Sequence, residues 1–298
     1  MKDKFTSISD LSQHIKACIQ ENNTTLDYSM LISEIERLGE TETPEIIEVT
    51  ILLGCFLKQD AKKTFKLLTK YREDCKETSG AGYFESFRER CELLVSPRTL
   101  TPHGYRIPIG TDNTKVLTDG ILSVEKAMKQ IGYDIFINSG TLLGVTRSGA
   151  FIPHDDDVDF GVLLHSTDAV SAAAEWIELK KTLEKNGLLK NVGWLGGILK
   201  THKIGTFTVD FFPAWVEGGA VFVYPHTAGD LVRDDLLPLC VSDDLCLPIP
   251  NRPEKMLAVN YGPDWRTPDP LFKFNWGKHR KEFSPFLVVT KVLDTGEA

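Results

Sequence analysis

Residues 139–159 read SGTLLGVTRSGAFIPHDDDVD, with Asp155, Asp156, Asp157 and Asp159 filling four of the last five positions. So many carboxylates repel one another unless a cation or solvent relieves them. Side chains two apart in a strand share a face. Asp157 and Asp159 therefore point one way, while Val158 and Phe160 point toward a core. Paired carboxylates at a strand start, just after a loop, make a cradle for a hard divalent cation such as Mg2+ or Mn2+. Just upstream, an apolar strand, YDIFIN (133–138), runs into Ser139-Gly140-Thr141 and a short helix. A glycine at a helix N-terminus lets backbone N–H groups approach a phosphate. An EF-hand loop would also begin on Asp155, Asp157 and Asp159. It fails because Phe160 stands where that loop needs glycine and Ser166 where it needs glutamate.

Outward from this stretch, helix and strand patterns alternate. Thr118 to about Ile131 reads as a helix with Ile121, Val124, Met128 and Ile131 on one face. Residues 157–164 form a strand, and Thr167 or Asp168 caps a helix ending near Gly187. Two strands follow, near 197–203 and 207–212, and then a Pro-rich last third of short elements and loops. The second of these strands, FTVDFF, carries one acid, Asp210, in an otherwise apolar run. Such an acid is costly to bury unless paired or metal-bound. Beside Asp157 and Asp159 it would complete a triad able to hold one or two metals. Lys200, His202 and Lys203 precede it, and Lys203 is expected to contact phosphate.

Residues 1–96 read as about five helices with no catalytic signal. Thr43-Pro44 is a helix cap followed by proline at the first helical position. Residues 97–116, PRTLTPHGYRIPIGTDNTKV, read as a linker or wrapping loop. The expected organisation is a helical region over 1–96 and an α+β catalytic domain over 97–298.

Composition narrows the classes. The 298 residues are 42% hydrophobic and 26% charged, with a formal charge of −8. These values describe a globular protein that needs no disulfides to fold. The six cysteines form no CxxC pair and read as reduced thiols of a cytoplasmic protein. No apolar run reaches the ~18 residues of a membrane span, and the N-terminus carries no apolar secretion segment. The acidic balance argues against a general nucleic-acid binder.

The motifs resemble the LicD/fukutin-related family. Its G-[TS]-L-L-G-x-x-R element stands as Gly140 to Arg147, its G-x-F-I-P-W loop as Gly149 to His154, and its D-D-D-[IV]-D as Asp155 to Asp159. Val209-Asp210-Phe211-Phe212-Pro213 is similar to a later V-D-[VIF]-F-P element. Pro253, Leu257 and Tyr261-Gly262-Pro263-Asp264-Trp265 are similar to a downstream one. The likeness spans about 139–265 and departs at His154, where the family commonly has tryptophan. It implies a polymerase-β-like nucleotidyltransferase core, a small mixed sheet with the acids at one edge. It further implies a transferase that moves phosphocholine, ribitol phosphate or glycerol phosphate from a CDP-activated donor to a glycan or glycolipid hydroxyl. On this reading Asp157, Asp159 and Asp210 hold Mg2+ or Mn2+, with Asp210 a third ligand or the base for the acceptor proton. Asp155 would be a ligand or support one, Gly140 and Thr141 approach the donor phosphate, Arg147 either grips a phosphate bidentately or forms a salt bridge to the acidic loop, and Trp265 packs. The protein would work in the cytoplasm, at the membrane periphery, with oligomerisation left open. Two rival readings are a transferase of nucleoside monophosphates and an inactive fold used for binding.

Overall fold

The computed structural model describes residues 5–39, 43–78, 81–101, 104–107, 114–152, 155, 157–189, 197–204, 207–269, 271–272 and 274–296. Two compact units divide the chain, Met1–Pro108 and Ile109–Ala298.

The first unit contains α1 (Ile8–Gln20), α2 (Tyr28–Leu38), α3 (Pro44–Leu57), α4 (Ala61–Thr78) and α5 (Ala81–Val95), then strands β1 (Thr99–Thr101) and β2 (Gly104–Arg106). Thr43 caps α3 by accepting the Ile46 amide at 3.4 Å, with Pro44 in the first turn. Ile46, Ile47, Thr50, Ile51 and Gly54 read as one stripe, yet all of residues 46–56 in α3 except Glu48 are buried. Such a helix must be enclosed, and α1, α2, α4 and α5 all pack against α3. Gly54 allows the approach of α4, since a Cβ there would lie 2.3 Å from Thr64 Oγ1. The stretch expected as a linker from residue 97 contains the β1–β2 hairpin. The hairpin packs on α4 and α5, and the Tyr105 hydroxyl donates to the Gly54 carbonyl at 2.6 Å. The division therefore falls after Pro108 rather than at residue 96.

The second unit runs α6 (Thr114–Gln130), β3 (Ile135–Ile137), α7 (Ser139–Ser148), β4 (Asp157–Leu163), α8 (Ala169–Lys185), β5 (Leu199–Lys200) and β6 (Thr208–Glu217). It continues with β7 (Ala220–Val223), β8 (Thr227–Val232), α9 (Arg233–Leu236), β9 (Cys240–Val241), β10 (Pro248–Ile249), α10 (Pro253–Tyr261), α11 (Trp276–Glu282) and α12 (Ser284–Thr295). The sheet order is β3-β4-β6-β7-β8, with β5 also on β6. Among the described residues, only β4 and β6 pair in parallel, joined through α8; the other pairs of this sheet are antiparallel. Asp168 caps α8, accepting the amides of Val170 and Ser171 at 2.9 and 3.0 Å. Central position explains the burial of the apolar residues of β4: Val158, Phe160 and Val162 are fully buried. Helix α7 packs on β4 and α10, while α8 packs on β6 and α12.

Proline is the main reason the structure exceeds the sequence expectation here. β6 continues through Pro213 to Glu217, because the Pro213 carbonyl still accepts the Tyr224 amide at 3.0 Å. In the last third, Pro253 and Pro285 open α10 and α12 instead of breaking them. α6 starts one turn before Thr118. All six cysteines are free thiols, and Trp265 is buried in the core as expected.

Gly161 sits opposite Phe136 across the β3–β4 ladder. An added Cβ would lie 2.3 Å from Phe136 Cζ, and that ring is fully buried. Gly161→Ala should therefore cost about 2 kcal/mol by overpacking. Chemical denaturation checks this, and an unchanged midpoint would show that the β3–β4 contact has room to spare.

Candidate metal and phosphate site

Parallel register places Asp159 beside Asp210 and Asp157 beside Thr208. One carboxylate oxygen from each of Asp157, Asp159 and Asp210 lies within 4.8 Å of the other two. Asp159 is 9% and Asp210 5% exposed. At that separation each ionised pair repels by about 3 kcal/mol at an effective dielectric near 20. Burial first, and then Asp157, Asp155 and Asp210, push the Asp159 carboxyl well above its usual range; the Gly140 N–H offsets part of this. The set is oxygen-only, closely spaced and partly open at Asp157, which fits a hard divalent ion that keeps positions for phosphate or water.

Backbone contacts hold the cluster together. The Asn138 amide donates to the Asp159 carbonyl at 2.9 Å. The Gly140 N–H donates to Asp159 Oδ2 at 3.2 Å. The Asp159 amide donates to Thr141 Oγ1 at 2.9 Å. A side chain at Gly140 would place its Cβ 2.7 Å from Asp155 Oδ2, so glycine is required by close approach. Ser139 turns the chain from β3 into α7 with φ 46°, a left-handed conformation that serine rarely adopts. Its Oγ is hydrogen-bonded to His226 Nε2 at 3.1 Å. His226 is enclosed by the rings of Tyr261, Phe274 and His279.

The expected site residues divide by placement. Asp157, Asp159 and Asp210 come together, with Gly140 against them. Thr141 is 2% exposed, and its hydroxyl is engaged by the Asp159 amide. The structure thus places Thr141 as a tie between α7 and β4. Arg147 lies half-buried in the last turn of α7 and makes no ion pair with any described residue. Burial, Asp159 and Asp155 push the Tyr261 phenol well above its usual range, and the Arg147 guanidinium opposes that rise. Lys203 is exposed. Lys200 is the lysine that reaches the acids, pairing with Asp210 directly across the β5–β6 ladder. Lys203 lies three residues farther along, ~10 Å at strand rise. Burial draws the Lys200 ammonium down, but Asp210, Asp157 and Asp159 outweigh it and hold the group above its usual range. His154 and Asp156 lie outside the described residues.

His226 and Lys200 are the contacts that sequence reasoning missed. His226 carried no motif; it lies in the turn just before β8. Lys200 was in view, but the choice between it and Lys203 depends on register.

Residues 132–252 match the family model described as "LicD/FKTN/FKRP, nucleotidyltransferase domain". The matched stretch contains Gly140, Arg147, Asp157, Asp159, Lys200 and Asp210, and stops before the Tyr261–Trp265 element. No curated protein matches the chain.

Burial, and then the charge of His279, lowers His226 to about 3 from 6.5. A folded value below the unfolded one means that stability is present above pH 6.5 and is lost as pH falls toward 3. The slope reaches ~1.4 kcal/mol per pH unit. Melting temperatures measured from pH 7 to 4 should fall more steeply for the wild type than for His226→Phe. The variant also carries a pH-independent loss of about 1 kcal/mol from the Ser139 hydrogen bond. Parallel curves would show that His226 does not take up the proton.

Proposed function

We propose that this chain, whose residues 132–252 are a LicD-type domain, is a metal-dependent transferase. It moves a phosphorylated alcohol (phosphocholine, ribitol phosphate or glycerol phosphate) from a CDP-activated donor to a glycan or glycolipid hydroxyl. The observation that carries this reading is the meeting of Asp157, Asp159 and Asp210 within 4.8 Å inside that domain. The placing of these acids at the starts of adjacent strands in a small mixed sheet supports a polymerase-β-like core. Among the described residues no helix is long and apolar enough to cross a membrane. We place the reaction at the cytoplasmic side of a membrane.

The three aspartates would hold Mg2+ or Mn2+. A bound divalent ion supplies charge neutralisation of the phosphates and orients the attacking and leaving oxygens. The chain's own groups do the rest. The Gly140 N–H holds the Asp159 carboxylate in place. Arg147, uncommitted to any described carboxylate, binds a donor phosphate with its planar fork. Asp210 accepts the proton of the acceptor hydroxyl as its oxygen bonds to the distal phosphorus and the bond to CMP breaks. Transfer of a nucleoside monophosphate would use the same triad but release pyrophosphate from a nucleoside triphosphate. The released product separates the two reactions.

CMP release from CDP-choline, CDP-glycerol and CDP-ribitol, with and without Mg2+, is the direct test. Asp157→Asn, Asp159→Asn and Asp210→Asn should each lower turnover by on the order of 10²-fold or more. The metal-free melting temperatures of Asp157→Asn and Asp159→Asn should equal or exceed the wild type, because neutralising one acid relieves repulsion. Metal-independent release, or full activity in Asp210→Asn, would sink this mechanism.

A further inference from the structure

We infer that Lys200 is a resident counter-cation of the triad, which gives up Asp210 when a divalent ion enters and then takes a phosphate oxygen of the donor. This rests on the metal-dependent reading above. Lys200 stands across the antiparallel ladder from Asp210, and its Nζ is hydrogen-bonded to Asp210 Oδ2. Its side chain is 36% exposed, against 7% for that of Asp210. One end of the lysine is thus anchored in the sheet, while its flexible four-carbon stem has room to swing.

Charge balance gives the contact its meaning. Three ionised carboxylates sum to −3, Asp155 beside them adds a fourth negative charge, and Lys200 brings the total to −3. One divalent ion then leaves about one negative charge with the lysine still in place. A diphosphate donor arrives with two further negative charges, and these need a cation near the metal. An ion held by Asp210 competes with the ammonium for the same carboxylate, so the lysine is released as the phosphate arrives. Three N–H donors on one ammonium suit it to phosphate oxygens of varied position. A lysine serving only to clamp β5 to β6 would have no such response to metal.

Calorimetry on the full chain tests this, with Mn2+ alone as one probe and CDP in saturating Mn2+ as the other. Lys200→Gln removes the competing charge but keeps a hydrogen-bond donor. It should bind Mn2+ a few-fold more tightly and CDP about tenfold more weakly, the size of one lost charge-assisted hydrogen bond. Lys200→Arg keeps the charge and grips a carboxylate with two donors. It should bind Mn2+ a few-fold more weakly and retain CDP, and it gives an independent answer if the Gln variant fails to fold. CDP affinity unchanged in Lys200→Gln, or Mn2+ affinity unchanged in Lys200→Arg, would overturn the role of Lys200 while leaving the metal site standing. A wild-type protein that binds no Mn2+ would overturn both readings.

Discussion

The parallel pairing of β4 with β6 is the constraint on which the site depends. It sets Asp159 against Asp210 at the starts of two neighbouring strands. Carboxylates placed so closely and so deeply are unfavourable in isolation. They persist because the same two strands carry Val158, Phe160 and Val162 on one side of the pairing, and Val209 and Phe211 on the other, all buried. The Phe160 and Phe211 rings lie 6.1 Å apart along this seam. Apolar burial of about 2 kcal/mol per large side chain thus offsets a repulsion of similar size. The acids are held where the fold needs the strands, not where the acids themselves would settle.

Strain and polar ties concentrate around that seam. Ser139 adopts a left-handed conformation, at a cost of about 1 kcal/mol or more. The turn is held by the His226 hydrogen bond below it and by α7 packing on β4 and α10. With the chain turned in this way, the Gly140 N–H faces Asp159. The Thr141 hydroxyl receives the Asp159 amide from the same turn. One short segment therefore orients Asp159 through both its carboxylate and its backbone. Lys200 adds a cation to the arrangement through its pair with Asp210.

The helical unit follows a simpler rule. Its α3 is buried along most of its length and is packed by four helices, and the β1–β2 hairpin packs against two of these. Nothing in it brings acids, histidines or cysteines together at metal-ligating spacing among the described residues. Its cysteines are buried as apolar groups.

The sequence by itself determined what depends on neighbours along the chain. Thr43-Pro44 and the Thr167-Asp168 pair mark helix starts because their side chains or rings act within one turn. The DVD spacing puts Asp157 and Asp159 on one face because a strand repeats every two residues. The SGT turn and the ordered motifs pointed to the matched domain. Only the tertiary structure decided which distant residues meet. Strand order and register brought Asp210 to Asp159, chose Lys200 over Lys203, seated His226 under Ser139 and drew the β1–β2 hairpin onto the helices. A slip of one residue between β5 and β6 would turn Lys200 to the opposite face. No local pattern sets that register, because it is fixed by side chains packed from separate parts of the chain.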